Sequence, residues 1–129
     1  MSEPGHNERH IRLYGIENCD QVRKAKAWLK DNQLSAEFHD FRKHGITEEL
    51  VKHWLTHLPW DSLINRKGLT WRKLTVEQKA LITDQTSAIA QMLSEPTLIK
   101  RPVLTFIDTA GREHVGVGFS AEIYQHLFS

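Results

Sequence analysis

One thiol and its immediate neighbours carry the clearest chemistry in this sequence. The run Ile11-Arg12-Leu13-Tyr14-Gly15-Ile16-Glu17-Asn18-Cys19-Asp20-Gln21-Val22-Arg23-Lys24-Ala25-Lys26-Ala27-Trp28-Leu29 passes from a strand-like alternation through Gly15 into the single cysteine of the chain. Strong helix formers follow it directly. A thiol at a helix N-terminus feels the partial positive charge of unpaired amides, which favours the ionised, nucleophilic sulfur. Arg23 is four residues on and shares the helix face with Cys19, so its guanidinium is expected to add to that effect. Free cysteine is also among the most buried residue types and can be purely structural. The polar flanks Asn18 and Asp20 are typical of a loop and a helix cap, which favours the reactive reading.

Other reactive patterns are weaker. His53 and His57 are four apart, as some metal ligands are, but no glutamate follows His53 as an H-E-x-x-H site requires, and no metal site is expected. A phosphatase-type C-x5-R loop would need arginine at position 25, where Ala25 stands. No glycine-rich nucleotide-binding pattern is present, so no tightly bound cofactor is expected.

Composition sets the outer bounds. A chain of 129 residues fits one domain with an ordinary core. With 17 basic and 16 acidic residues it lacks the electrostatic footprint of a nucleic-acid or anionic-membrane binder. The basic, aromatic stretch Arg66-Lys67 with Trp71-Arg72-Lys73 is read as anion-binding or solvated rather than as a nucleic-acid contact. There is no apolar run of the ~18 residues needed to span a bilayer, and the first ten residues lack the apolar segment of a signal peptide. A cytoplasmic monomer is expected. One cysteine excludes an intrachain disulfide, so any redox role for Cys19 needs an external thiol.

The elements that must position the sulfur read as follows. Met1 to Arg9 is expected to be a flexible N-terminal arm. Ile11 and Leu13 alternate with Arg12 and Tyr14 as a strand does. A helix from about Asp20 to Asn32 places Val22, Ala25, Trp28 and Leu29 on one stripe, and a second strand follows from Ala36 to Phe41. Ile46, Leu50, Val51, Trp54, Leu55 and Leu58 repeat at helical spacing until Pro59. Residues Asn65 to Leu74 form a cation-rich loop or broken helix. Thr75-Val76-Glu77-Gln78 has the form of a capping box opening a short helix through Ile82, and Thr86 to Ser94 forms another. Val103 to Ile107 is an apolar run suited to a central strand, Asp108 to Gly111 a turn, and Glu113 to Val117 the return strand of a hairpin. Ser120 to Phe128 closes the chain as a helix expected to bury Ile123, Leu127 and Phe128.

This order of strand, helix, strand, helical insert, strand, strand and helix matches an α/β (α+β) thioredoxin/glutaredoxin-like four-stranded mixed sheet with an inserted helical subdomain at about 46–95. Thioredoxin-like proteins carry a cis proline before the third strand, and Arg101-Pro102 stands there. The sequence resembles the ArsC/Spx family, and most its YffB-type branch. The resemblance rests on Leu13-Tyr14-Gly15-Ile16, Asn18-Cys19-Asp20, the helix from Arg23 to Leu29, Asn65-Arg66, Thr70 to Leu74, Lys100-Arg101-Pro102 and Val117-Gly118-Phe119-Ser120.

The resemblance implies that Cys19 is a nucleophile, that Arg66 and Arg101 hold an oxyanion or a glutathione carboxylate, and that Pro102 shapes the adjoining backbone. Guanidinium groups offer the bidentate bonds such anions take. It implies a thiol/disulfide oxidoreductase with glutathione as co-substrate and glutathione or a glutaredoxin as partner. The same family implies two alternatives: a Spx-like module that docks on RNA polymerase without turnover, and a glutaredoxin-coupled arsenate reductase. Two positions depart from these branches. Val22 replaces the second cysteine of the C-x-x-C redox switch, and Gly118-Phe119 stands where arsenate reductases place a third arginine.

Overall fold

The computed structural model describes residues 10–129, so the expected arm at residues 1–9 lies outside the described residues. Along the chain run β1 (Ile11–Gly15), α1 (Asp20–Asp31), β2 (Ala36–Asp40), α2 (Phe41–His44), α3 (Glu48–Trp54), α4 (Leu69–Lys73), α5 (Val76–Ala80), α6 (Gln85–Ser94), β3 (Val103–Ile107), β4 (Glu113–Val117) and α7 (Ala121–Leu127). Short 3-10 turns at Trp60–Leu63 and Pro96–Leu98 interrupt the middle. The chain divides into two compact units. Residues 10–44 with Arg101–Ser129 form the sheet unit, and Gly45–Lys100 forms the insert.

In the sheet unit the strand order is β2-β1-β3-β4. β1 and β2 are parallel, with Leu13 opposite Phe38 and Gly15 opposite Asp40, and α1 is the crossover that parallel pairing demands. β3 runs antiparallel to both β1 and β4, pairing Tyr14 with Val103 and Val103 with Val117. Val103 to Phe106 are all buried, as a strand covered on both faces requires. Ile11, Leu13, Val22, Ala25, Leu29, Leu104, Phe106 and Tyr124 form the core, so the stripe expected on α1 does cover the sheet.

The closing helix faces the core differently from the sequence expectation. Ile123 is 58% exposed, whereas Tyr124 is 2% exposed. Ser120 caps α7 by accepting from the Ile123 amide, and that start rotates Tyr124 inward with Leu127 and Phe128 beside the core. Tyr124 meets Trp28 and Phe119 edge-on at ring-centroid distances of 5.5 and 4.8 Å, and Phe128 stacks on Phe106 at 4.4 Å. Among the described residues nothing hydrogen-bonds the Tyr124 hydroxyl, and burial pushes its pKa well up.

The insert is held by its caps and a small interior. Thr47 accepts from the Leu50 amide at the start of α3. α3 then ends at Trp54, short of Pro59, because the chain tightens into bonds from Thr56 to the His53 carbonyl and from His57 to the Trp54 carbonyl. The Thr56 hydroxyl also takes the His53 carbonyl at 2.7 Å. The expected capping box of Thr75 and Gln78 opens α5, which ends at Ala80 rather than Ile82, and a second box, not expected from the sequence, joins Asp84 and Ser87 at α6. Val51, Trp54, Leu63, Ala88, Met92, Leu98 and Ile99 are fully buried. An antiparallel bridge at Ile64 and Ile99, with the Asn65 amide donating to Leu98 and the Lys100 amide to Leu63, ties the segments around residues 63–65 and 98–100 together. These pairings lie within the Gly45–Lys100 unit.

Two expected outcomes follow from the sheet unit. Removing a buried hydroxyl that has no partner removes its desolvation cost, so Tyr124→Phe is expected to raise stability by about 1 kcal/mol, read from urea midpoints. At the hairpin turn the Asp108 carboxylate accepts from His114 Nε2 at 2.8 Å and from the Arg112 and Ala110 amides at 2.9 Å. The His114 bond is the main reason its pKa is held down to about 2, with the Arg112 and Ala110 amides adding to it. A depressed carboxyl stabilises the fold fully above its unfolded value of about 3.9 and loses that contribution as pH falls toward the folded value. Asp108→Asn is therefore expected to flatten the fall in urea midpoint between pH 4 and pH 2; an unchanged acid limb would refute the assignment.

Candidate functional site

Cys19 is the N-cap of α1, with extended backbone angles (φ −136°, ψ 127°), and its carbonyl accepts the Arg23 amide at 2.9 Å. Its side chain makes no capping bond, so the first-turn amides are not satisfied by the sulfur in the way a serine or aspartate cap would satisfy them. The residue is half-buried, its side chain resting against the edge of the core. That position combines access with apolar backing. Asp20 stands in the first turn, next to the cap.

Arg23 is exposed and brackets the cysteine. One guanidinium nitrogen donates to Asn18 Oδ1 at 3.2 Å and the other pairs with the Asp20 carboxylate. The guanidinium thus ties together the two residues that flank the sulfur, and Asp20 shares its charge. Exposed pairs of this kind contribute about 0–1 kcal/mol, so the bracket matters more for loop shape than for stability.

The sheet register brings the second chemical element to the same end. β1 pairs Tyr14 with Val103, so Gly15 and Pro102 are next in line where β1 ends and β3 begins. The Arg101–Pro102 bond is cis, as the position before the third strand suggested. Pro102 is buried and Arg101 half-buried. The Pro102 carbonyl accepts the Gly118 amide at 2.9 Å, and Gly118 turns out of β4 with φ +83°, a conformation that favours glycine.

Gly15 is a positioning residue that the sequence did not single out for its role. A Cβ there would lie 2.6 Å from Val22 Cγ2 and 3.8 Å from Arg101 Cβ. The strand can therefore approach α1 this closely only because position 15 has no side chain, whereas the Arg101 segment stands at ordinary contact distance. The signal available in the sequence was a glycine at the end of an otherwise β-favouring run.

Cys19, Arg23, Arg101 and Pro102 all belong to the sheet unit, whereas Arg66 belongs to the insert. There Arg66 is exposed, with its guanidinium carbon 5.5 Å from the Trp71 ring centroid; Lys79 lies 5.4 Å from the same ring. Among the described residues no helix is long and apolar enough to cross a membrane.

A four-stranded mixed sheet with a cysteine capping its first helix and a cis proline opening its third strand defines a thioredoxin-like protein. The ArsC family model matches residues 14–127, and the chain belongs to the ArsC family. It is similar to the solved YffB protein, with 39% identity and a TM-score of 0.80 over 92% of this chain and 99% of that one. It is also similar to an arsenate reductase (ArsC) related protein from Brucella melitensis, with 37% identity and a TM-score of 0.68 over 91% and 92% of the two chains. The global transcriptional regulator Spx of Staphylococcus saprophyticus is 31% identical over 96 residues, covering 73% of this chain and 72% of the relative.

The close fit at Gly15 is directly testable. Gly15→Ala is expected to cost about 1–3 kcal/mol by overpacking against the fully buried Val22. In a double-mutant cycle by urea unfolding, Val22→Ala should recover part of that loss. Strictly additive effects would show that the two positions do not meet.

Proposed function

We propose that this protein is a thiol-dependent reductase in which Cys19 is the nucleophile and glutathione the co-substrate. The observation that carries this reading is the half-buried sulfur at the N-cap of α1, free of any capping bond, at the sheet end where the Arg101–Pro102 segment begins. Helix-terminal amides favour the thiolate there. Arg101 supplies a guanidinium suited to a glutathione carboxylate or a substrate oxyanion, and Arg66 is proposed for the same anion-binding task.

The proposed reaction is two exchange steps. The Cys19 thiolate attacks the glutathione sulfur of a substrate–glutathione mixed disulfide. A new sulfur–sulfur bond forms to Cys19, the old one breaks, and the substrate leaves as a thiolate that takes a proton from water. A second glutathione thiolate, or that of a glutaredoxin, then attacks the Cys19 adduct. It leaves with the first glutathione as a disulfide and returns the Cys19 thiolate. The chain has one cysteine, so the resolving thiol must come from outside.

A second reading is favoured by the similarity to the Spx regulator. In it the protein docks on RNA polymerase and performs no turnover. Recovery of polymerase subunits in stoichiometric amounts by the tagged protein, together with absent thiol turnover, would select this reading. Arsenate-dependent glutathione oxidation would instead select arsenate reduction.

Cys19→Ser is expected to abolish glutathione-dependent reduction of a mixed-disulfide substrate. Arg101→Ala is expected to raise the KM for glutathione about tenfold with a smaller change in kcat. Parental turnover by the serine variant would defeat the mechanism. In the parent, iodoacetamide should modify Cys19 at pH 7 faster than it modifies free glutathione; slower modification would point to a structural thiol.

A further inference from the structure

In the C-terminal half of α1, far along the helix from the sulfur, a groove of about 550 Å³ opens between the helix, the loop after it and the edge strand β2. It falls within the ~300–1,000 Å³ of small-molecule sites. Neither Cys19 nor Arg101 lines it. The floor is Leu13 and Leu29, at 1% and 2% exposure. Leu34 and Phe38, both half-buried, form apolar walls. The groove exists because Phe38 stands opposite Leu13 on the same sheet face, while α1 packs over β1 and leaves the outer strand partly uncovered.

Its polar rim is cationic. Lys26 and Lys30 are one helical turn apart on the groove side of α1. Lys26 Nζ stands 3.7 Å from the Phe38 ring centroid, a cation–π contact that holds an ammonium directly above the apolar wall. The acid of the lining, Glu37, already accepts from Arg12 Nε at 3.0 Å. Among the described residues no carboxylate pairs with Lys26 or Lys30, so both ammoniums keep donors for an outside acceptor.

We propose that this groove binds a small amphipathic anion. A flat aromatic or short alkyl body lies against Leu13, Leu29, Leu34 and Phe38, and its acid group is taken by Lys26 and Lys30. The charge arrangement selects the sign: the lining carries two ammoniums that no carboxylate among the described residues pairs with, and one carboxylate that Arg12 neutralises. The apolar floor selects a ligand with a hydrophobic body over a bare ion, which could not cover it. This inference stands apart from the thiol chemistry and does not depend on it.

The test is a fluorescence titration of the full chain with 8-anilinonaphthalene-1-sulfonate, paired with the neutral N-phenyl-1-naphthylamine. One saturable site for the sulfonate is expected, with affinity at least tenfold higher than for the neutral probe. The double variant Lys26→Glu/Lys30→Glu should weaken the sulfonate at least tenfold and leave the neutral probe unchanged. Lys24→Glu, on the same helix but outside the groove, should bind as the parent does. Amide shifts on sulfonate binding should concentrate in residues 26–38. No saturable binding, equal loss from Lys24→Glu, unchanged affinity in the double variant, or shifts elsewhere would each overturn the proposal.

Discussion

The sheet unit depends on a close approach at Gly15, where Val22 Cγ2 occupies the space that any side chain would need. Because β1 can lie that near α1, the helix starts only five residues after the strand ends, and the residue at its cap is Cys19. The Arg101 segment stands on another side of the same position, 3.8 Å from where a Cβ would be, an ordinary contact distance. Gly118 completes the arrangement by leaving β4 at a positive φ and bonding the Pro102 carbonyl. Three backbone positions at one sheet end thus fix where a sulfur and a guanidinium-bearing segment can be.

Cys19 caps the first turn of α1 without a side-chain bond, and Asp20 stands in that same turn. Arg23 draws Asn18 and Asp20 together and so spends much of its field on the carboxylate. A family that includes both arsenate reductase related proteins and transcriptional regulators illustrates that such a frame can serve different ends, because activity resides in the particular side chains it presents.

Most of the elements were legible because their signals are local. Alternation marked β1, an unbroken apolar run marked β3, and turn chemistry from Asp108 to Gly111 marked the hairpin whose strands are those expected. The Thr75 capping box was visible as a four-residue pattern. Signals that depend on partners misled. Helical spacing continued to Leu58, yet α3 stops at Trp54 where side-chain and tightened backbone bonds take the carbonyls. Ile123 is the more apolar residue, but Tyr124 is the one inside, since the core there is a set of aromatic rings that a tyrosine completes.

By itself the sequence determined the order of elements, the single thiol at the start of the first helix, and the proline before the third strand, since each is written in neighbouring residues. Only the tertiary structure decided which residues share a place: Gly15 against Val22 and Arg101, Arg23 on both flanks of the cysteine, and Lys26 over Phe38 beside a groove. Helix and strand preferences act over a few residues, whereas these contacts join segments whose meeting is set by strand register and by the packing of a helix on a sheet.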